Sequence, residues 1–250
     1  WKEVCFRENE VPLVQVIDAL KGKNLDVSAV QKTRRLPSRW MLWNEQINEP
    51  MLLTHAFVWL WNNPLETGNF VPVGERPPTN LFKDRMQSEP SMKCDISFAF
   101  DTTIDDSIYV ALDIINEWIQ TIPDFNPTHK PMKQWQSSKE FNTNYRYIVG
   151  SKLFARRTPY NFVKNKYVVP YDVHPWIEGN SAPHNDEFIP NPERVTYYDG
   201  TDGTLKPLKK SVPPSYNPGD IIKMTFKIAF IFGAEKWWTE VVPIQLIRVG

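Results

Sequence analysis

From Ile222 to Phe232 every second residue is apolar: Ile222, Met224, Phe226, Ile228, Phe230 and Phe232. Lys223, Thr225 and Lys227 fill positions between them. Side chains alternate across a strand with a period of two, so this stretch reads as a β-strand with one apolar face and does not suit an amphipathic helix. A Tyr216-Asn-Pro-Gly-Asp220 turn precedes it, Gly233 to Lys236 makes a second turn, and Trp237 to Val249 returns as a partner strand. Pro243 within that partner points to an edge position or a bulge, because proline cannot donate to a sheet ladder. A chain with such a hairpin must supply a sheet or helix layer to cover the apolar face.

Two further segments show clear periods. Asp95 to Asp101 alternates, with Ile96, Phe98 and Phe100 on one side, and reads as a half-buried strand. Ile108, Leu112, Ile115, Trp118, Ile119 and Ile122 then recur at helical spacing, with Asp106 or Ser107 as cap and Pro123 as stop. The first third reads as helical. Val11, Leu13, Val14, Val16, Ile17 and Leu20 follow a period near 3.6, with Gly22 as the stop, and Met51 to Trp61 reads as a buried helix or strand. The fold class expected is α+β: an antiparallel sheet, partly open barrel or sandwich closed by the C-terminal hairpin, with N-terminal helices. One compact domain over 1–250 is expected, helical over about 1–65 and mixed sheet over about 90–250.

The composition, with 22 prolines, 10 glycines and 10 tryptophans, describes rigid connections tied to bulky anchors, not a flexible or low-complexity chain. Cys5 and Cys94 are too few for a disulfide scaffold, and no CxxC, HExxH or comparable metal-ligand spacing occurs. No metal or other cofactor is expected. No GxSxG, GxxxxGK[ST] or GxGxxG motif is present, which removes the usual nucleophile and phosphate-loop signatures. No apolar run reaches the length of about 20 residues needed to span a bilayer. These features lead to the expectation of an intracellular protein, nuclear or cytoplasmic, without a membrane partner.

Charge is balanced overall but placed in blocks. Between Lys130 and Lys166 nine Lys or Arg face one acid, Glu140, although the chain's formal net charge is zero. Acidic blocks flank it: nine acids against three bases from Lys83 to Asp124, and seven acids against Arg194 from Asp172 to Asp202. Aromatic residues are threaded through the basic block. Cations suit phosphates and flat rings suit unpaired bases, so the block reads as a surface for single-stranded nucleic acid. The phosphate-binding candidates are Arg146, Lys152, Arg156, Arg157, Lys164 and Lys166; the stacking candidates are Trp135, Tyr145, Phe154 and Tyr160. The competing reading is a pair of strands whose rings enter the core and whose cations pair with the neighbouring acids. Arg34, Arg35 and Arg39 beside Trp40 and Trp43 form a second basic-aromatic cluster.

The C-terminal sequence PGDIIKMTFKIAFIF followed by KWWTEVVPIQLIRV resembles the end of a set of uncharacterised proteins from mushroom-forming fungi, which share a PGD-I/V turn and two alternating strands. SKLFARRTPYNFV and LPSRWMLWNE extend the same pattern. The resemblance covers about forty residues at the C-terminus and implies no activity and no site residues.

The function expected is therefore non-enzymatic nucleic-acid binding. An alternative is a structural or assembly protein, such as a viral or mobile-element coat subunit, with self-association. A minority reading is a Mg²⁺-dependent nuclease built on Asp101, Asp105 or Asp113; helix starts favour acids electrostatically in any case, so these carboxylates need no catalytic explanation.

Overall fold

The structure is a computed structural model that describes residues 1–22, 27–33, 37–133, 145–157, 169, 171–181 and 187–250. In chain order the strands and helices are β1 Glu10–Pro12, α1 Leu13–Gly22, β2 Val27–Thr33, β3 Ser38–Asn44, β4 Glu49–Pro50, β5 Leu52–Asn62, β6 Asp95–Asp101 and α2 Ser107–Ile119. There follow β7 Arg146–Lys152, β8 Phe154–Arg156, α3 Pro175–Ser181, β9 Phe188–Pro190, β10 Thr196–Asp199, β11 Lys206–Pro207, β12 Ile221–Phe232 and β13 Trp237–Arg248. The fold is α+β in kind, mostly sheet, with a large mixed sheet that does not close into a barrel. Among the described residues no helix is long and apolar enough to cross a membrane.

The chain divides into two compact units: Trp1–Leu60, Phe100–Tyr147 and Thr196–Gly250 in the first, Trp61–Ala99 and Ile148–Val195 in the second. In the first unit β12 and β13 pair antiparallel from Ile222↔Arg248 to Phe232↔Trp237. The register shifts where Phe226 faces Pro243 and Thr225 faces Gln245, so the proline marks a bulge. The hairpin has strands on both sides. β5 and β3 pair with β12 antiparallel, and β10 pairs with β13 in parallel.

Residues 1–65, read above as a helical portion, contain one described helix, α1, while β1 to β5 supply their other regular elements. The reason is visible in β3. Trp40 and Leu42 enter one face of the sheet and Met41 and Trp43 the other, so a strand buried on both sides carries a continuous apolar run that periodicity cannot tell from a buried helix.

The even-numbered face of β12 is the main core of this unit. Ile222, Met224, Phe226, Ile228 and Phe230 are fully buried. Phe125, just beyond α2, packs edge-on against Trp40, Phe230, Phe232 and Trp237 at centroid distances of 4.9–5.6 Å. Such edge-to-face geometry satisfies the ring quadrupoles while burying large area. The helix α2 buries Ile108, Leu112, Ile115 and Ile119 at the anticipated spacing, and Asn116 accepts a hydrogen bond from Thr239 on β13. Its start is tied by Asp105, whose Oδ1 accepts from the Ser107 amide at 3.2 Å, and not by the side chain of Asp106.

Opposite that face, Lys223 and Thr225 are buried as well, although polar residues that alternate with an apolar face ordinarily meet solvent. Glu10 accounts for this. Its Oε2 accepts from Lys223 Nζ at 2.8 Å and from the Phe6 amide at 2.8 Å, and its Oε1 accepts from Thr225 Oγ1 at 2.7 Å. The Phe6 ring lies 4.6 Å from the Lys223 ammonium.

In the second unit β6 places Ile96 and Phe98 in the core, and β8 pairs antiparallel with β9. Gly68 has φ +53, and a Cβ there would stand 2.1 Å from the Asp95 carbonyl oxygen, so only glycine lets the two backbones approach. Asn69 and Asn63 extend the same junction by accepting from the amides of Asp95 and Ser97, each at 2.8 Å.

Candidate nucleic-acid interface

In the second unit the described part of the basic block lies on β7 and β8. Lys152 keeps its side chain 41 % exposed while its Nζ sits 3.6 Å from Asp95 Oδ2. Burial pushes the Asp95 carboxyl above its usual range, and Lys152 offsets this only in part. An ion pair this exposed adds little stability, so the ammonium can be recruited by another anion at small cost. Arg156 is exposed and pairs across β8–β9 with half-buried Phe188, while the Arg157 amide donates to the Glu187 carbonyl at 2.7 Å. Phe154, expected as a stacking ring, is fully buried and packs edge-on against Phe70 at 5.3 Å. That assignment is corrected: Phe154 is a core residue, and the described ring beside the exposed arginine is Phe188.

In the first unit Tyr145 is 53 % exposed and has φ +45, an uncommon conformation for a non-glycine residue. Its carbonyl accepts from the Thr102 amide at 2.9 Å, which fixes the entry to β7. Arg146 is half-buried, and its carbonyl accepts from the Tyr109 hydroxyl at 2.7 Å. Tyr147 turns inward against Phe57 and Tyr109. Trp135, Tyr160, Lys164 and Lys166 lie outside the described residues.

Of the face of the first unit that carries Lys227, Ala229 and Ile231, the sequence pointed only to Arg39 and Trp43, within the second basic-aromatic cluster. Strand pairing sets Arg39, Ile231 and Trp238 in one row across β3, β12 and β13, and Met41, Ala229 and Glu240 in the next. Met41, Trp43, Ala229 and Ile231 are buried there, with Val30, Trp238 and Val242 packed against them and partly exposed. Lys32 places its Nζ 3.4 Å from the centroid of the Trp43 ring. The available sequence signal was the odd-numbered set within the same alternation that defined the core face.

Of the carboxylates considered for Mg²⁺, Asp113 is exposed on α2, and Asp101 and Asp105 are engaged locally. Asp101 Oδ1 accepts from the amide and hydroxyl of Thr103, at 2.8 and 2.7 Å. Asp105 pairs with Lys2 at 2.5 Å and lies 3.7 Å from His55 Nε2. Ser107 Oγ approaches that same nitrogen at 3.5 Å. A hydrolytic Ser-His-Asp relay needs the acid and the hydroxyl on opposite ring nitrogens, so this cluster is not one. Burial holds His55 below its ordinary range and hence neutral near pH 7, although Asp105 acts in the other direction. Among the described residues no group of three or more His, Cys, Asp or Glu is placed to hold a metal ion. No family model matches the sequence, and no curated protein matches it.

Proposed function

We propose that the protein binds single-stranded nucleic acid without cleaving it. The observation that carries this reading is the outward placement of Lys152 and Arg156 in the second unit, with the apolar Phe154 between them turned into the core. Cations on a short strand segment with an adjacent ring suit a backbone of evenly spaced phosphates carrying unstacked bases. Arg157 belongs to the same stretch, and in the first unit Tyr145 and Arg146 offer a ring and a cation in consecutive positions. Lys164, Lys166, Trp135 and Tyr160 join the proposal on sequence grounds.

The double variant Arg156→Ala/Arg157→Ala tests the assignment. Its affinity for a short single-stranded oligonucleotide should fall, and the dependence of log K on log salt should become shallower by about 1.4, since each phosphate contact to a single strand contributes about 0.7. Circular dichroism should be unchanged. An unaltered affinity and slope in a folded double variant would remove these arginines from the interface.

A further inference from the structure

The second sheet face of the first unit has a composition that neither a solvated face nor a helix-covered face requires. We infer that this face, centred on Trp238 with Arg39 and Lys227, is where bases of a bound single strand stack. The inference rests on the nucleic-acid reading above and gives it a specific surface.

α2 and Phe125 are engaged with the opposite face, through Thr239 and through Trp40, Phe230, Phe232 and Trp237. On the face in question Trp238 is partly exposed and packs against Gly233: a Cβ on that glycine would be 3.2 Å from the indole. The edge of the ring is therefore backed by the β12–β13 turn. Arg39 lies in the same row, separated from Trp238 only by Ile231. Its Nε is enclosed and makes no hydrogen bond, so the terminal nitrogens of this half-buried side chain are the donors that would meet a phosphate oxygen or a base edge.

Charge decides the occupant. Apart from the mutually paired Glu10 and Lys223, Lys32, Arg39 and Lys227 lie on this face against one acid, Glu240, and among the described residues neither Arg39 nor Lys227 has a carboxylate within ion-pair distance. A second copy docking here about a two-fold axis would set these cations against themselves. A polyanion with flat bases matches both the excess cations and the indole, and sheet-borne aromatic rings stack bases without regard to sequence.

Titration of the intact protein with single-stranded oligothymidine at low salt tests this. Trp238→Leu and Arg39→Gln should each weaken binding about tenfold, whereas Trp238→Phe, which keeps a ring, should stay within about threefold of wild type. If Trp238→Leu fails to fold, Arg39→Gln and Trp238→Phe still decide the matter. Wild-type binding with undiminished affinity in Arg39→Gln and in a folded Trp238→Leu variant would overturn this face and leave the general reading standing. Absence of wild-type binding would overturn both. Concentration-dependent dimerisation in light scattering that Arg39→Gln and Trp238→Leu abolish, with oligothymidine binding retained, would assign the face to a second copy instead.

Discussion

Replacing Lys223 with alanine should lower the stability of the fold by about 3–5 kcal/mol, because it leaves the Glu10 carboxylate inside the protein without its cation. Both side chains of this pair are fully buried, and Lys223 Nζ lies 2.8 Å from Glu10 Oε2. The penalty comes from the abandoned charge more than from the lost contact. The double variant Glu10→Gln/Lys223→Met should recover most of the loss, since a neutral amide can still accept from the Phe6 amide and meet Thr225. Denaturant unfolding of the single and double variants measures the difference; a single variant as unstable as the double would contradict the argument. The pair also sets a pH response. Burial alone would raise the Glu10 carboxyl, but hydrogen bonds from Lys223, Thr225 and the Phe6 amide hold it below the usual range. A carboxyl depressed in the folded state contributes stability above its unfolded pKa and loses that contribution as pH falls through the folded one.

Arg248→Ala should have a comparable effect, about 3–5 kcal/mol, for the same physical reason at a second place. The Arg248 guanidinium pairs with Asp199 and donates to the carbonyls of Ser215 and Pro213, at 2.8 and 3.0 Å, and to Ser211 Oγ at 3.2 Å. One side chain thus ties the end of β13 to β10 and to the 211–215 loop. Arg248→Lys keeps a charge but not the fork of donors, and should cost less, about 1–3 kcal/mol. The hydrogen bond from Arg248 leads in holding Asp199 well below the usual carboxylate range, so its stabilisation is complete near neutral pH and is lost in acid. Stability measured from pH 7 down to pH 2 should fall less steeply in Arg248→Ala than in wild type. Parallel curves would show that Asp199 is not held by this arginine.

Both clusters lay beyond sequence reading because their partners are far apart in the chain. Nothing near Lys223 signals that Glu10 will cover it, and an alternating lysine in a strand ordinarily faces water. The even-numbered residues of β12, by contrast, announced their burial through a period that only a strand can satisfy. β6 and α2 were legible for the same reason. β3 was not, and β5 only as a helix or a strand, since a strand buried on both faces loses the alternation that identifies it.

The candidate interface was legible as charge and less so as aromatic placement. Lys152 and Arg156 project outward as their type requires, but Phe154, two residues from each, serves the core. A ring in a basic segment has two uses, and sequence does not state which face of the strand it takes. Phe188 and Trp238 acquire their positions beside Arg156 and in the row of Arg39 only through strand pairing.

Intrinsic tryptophan fluorescence of the wild-type protein, titrated with a short single-stranded oligonucleotide at low and at moderate salt, tests nucleic-acid binding most directly. Saturable quenching is expected, with an affinity that falls steeply with salt as several phosphates release their counterions. A flat response at both salts would contradict binding and return the exposed cations to the role of partners for the acidic segments.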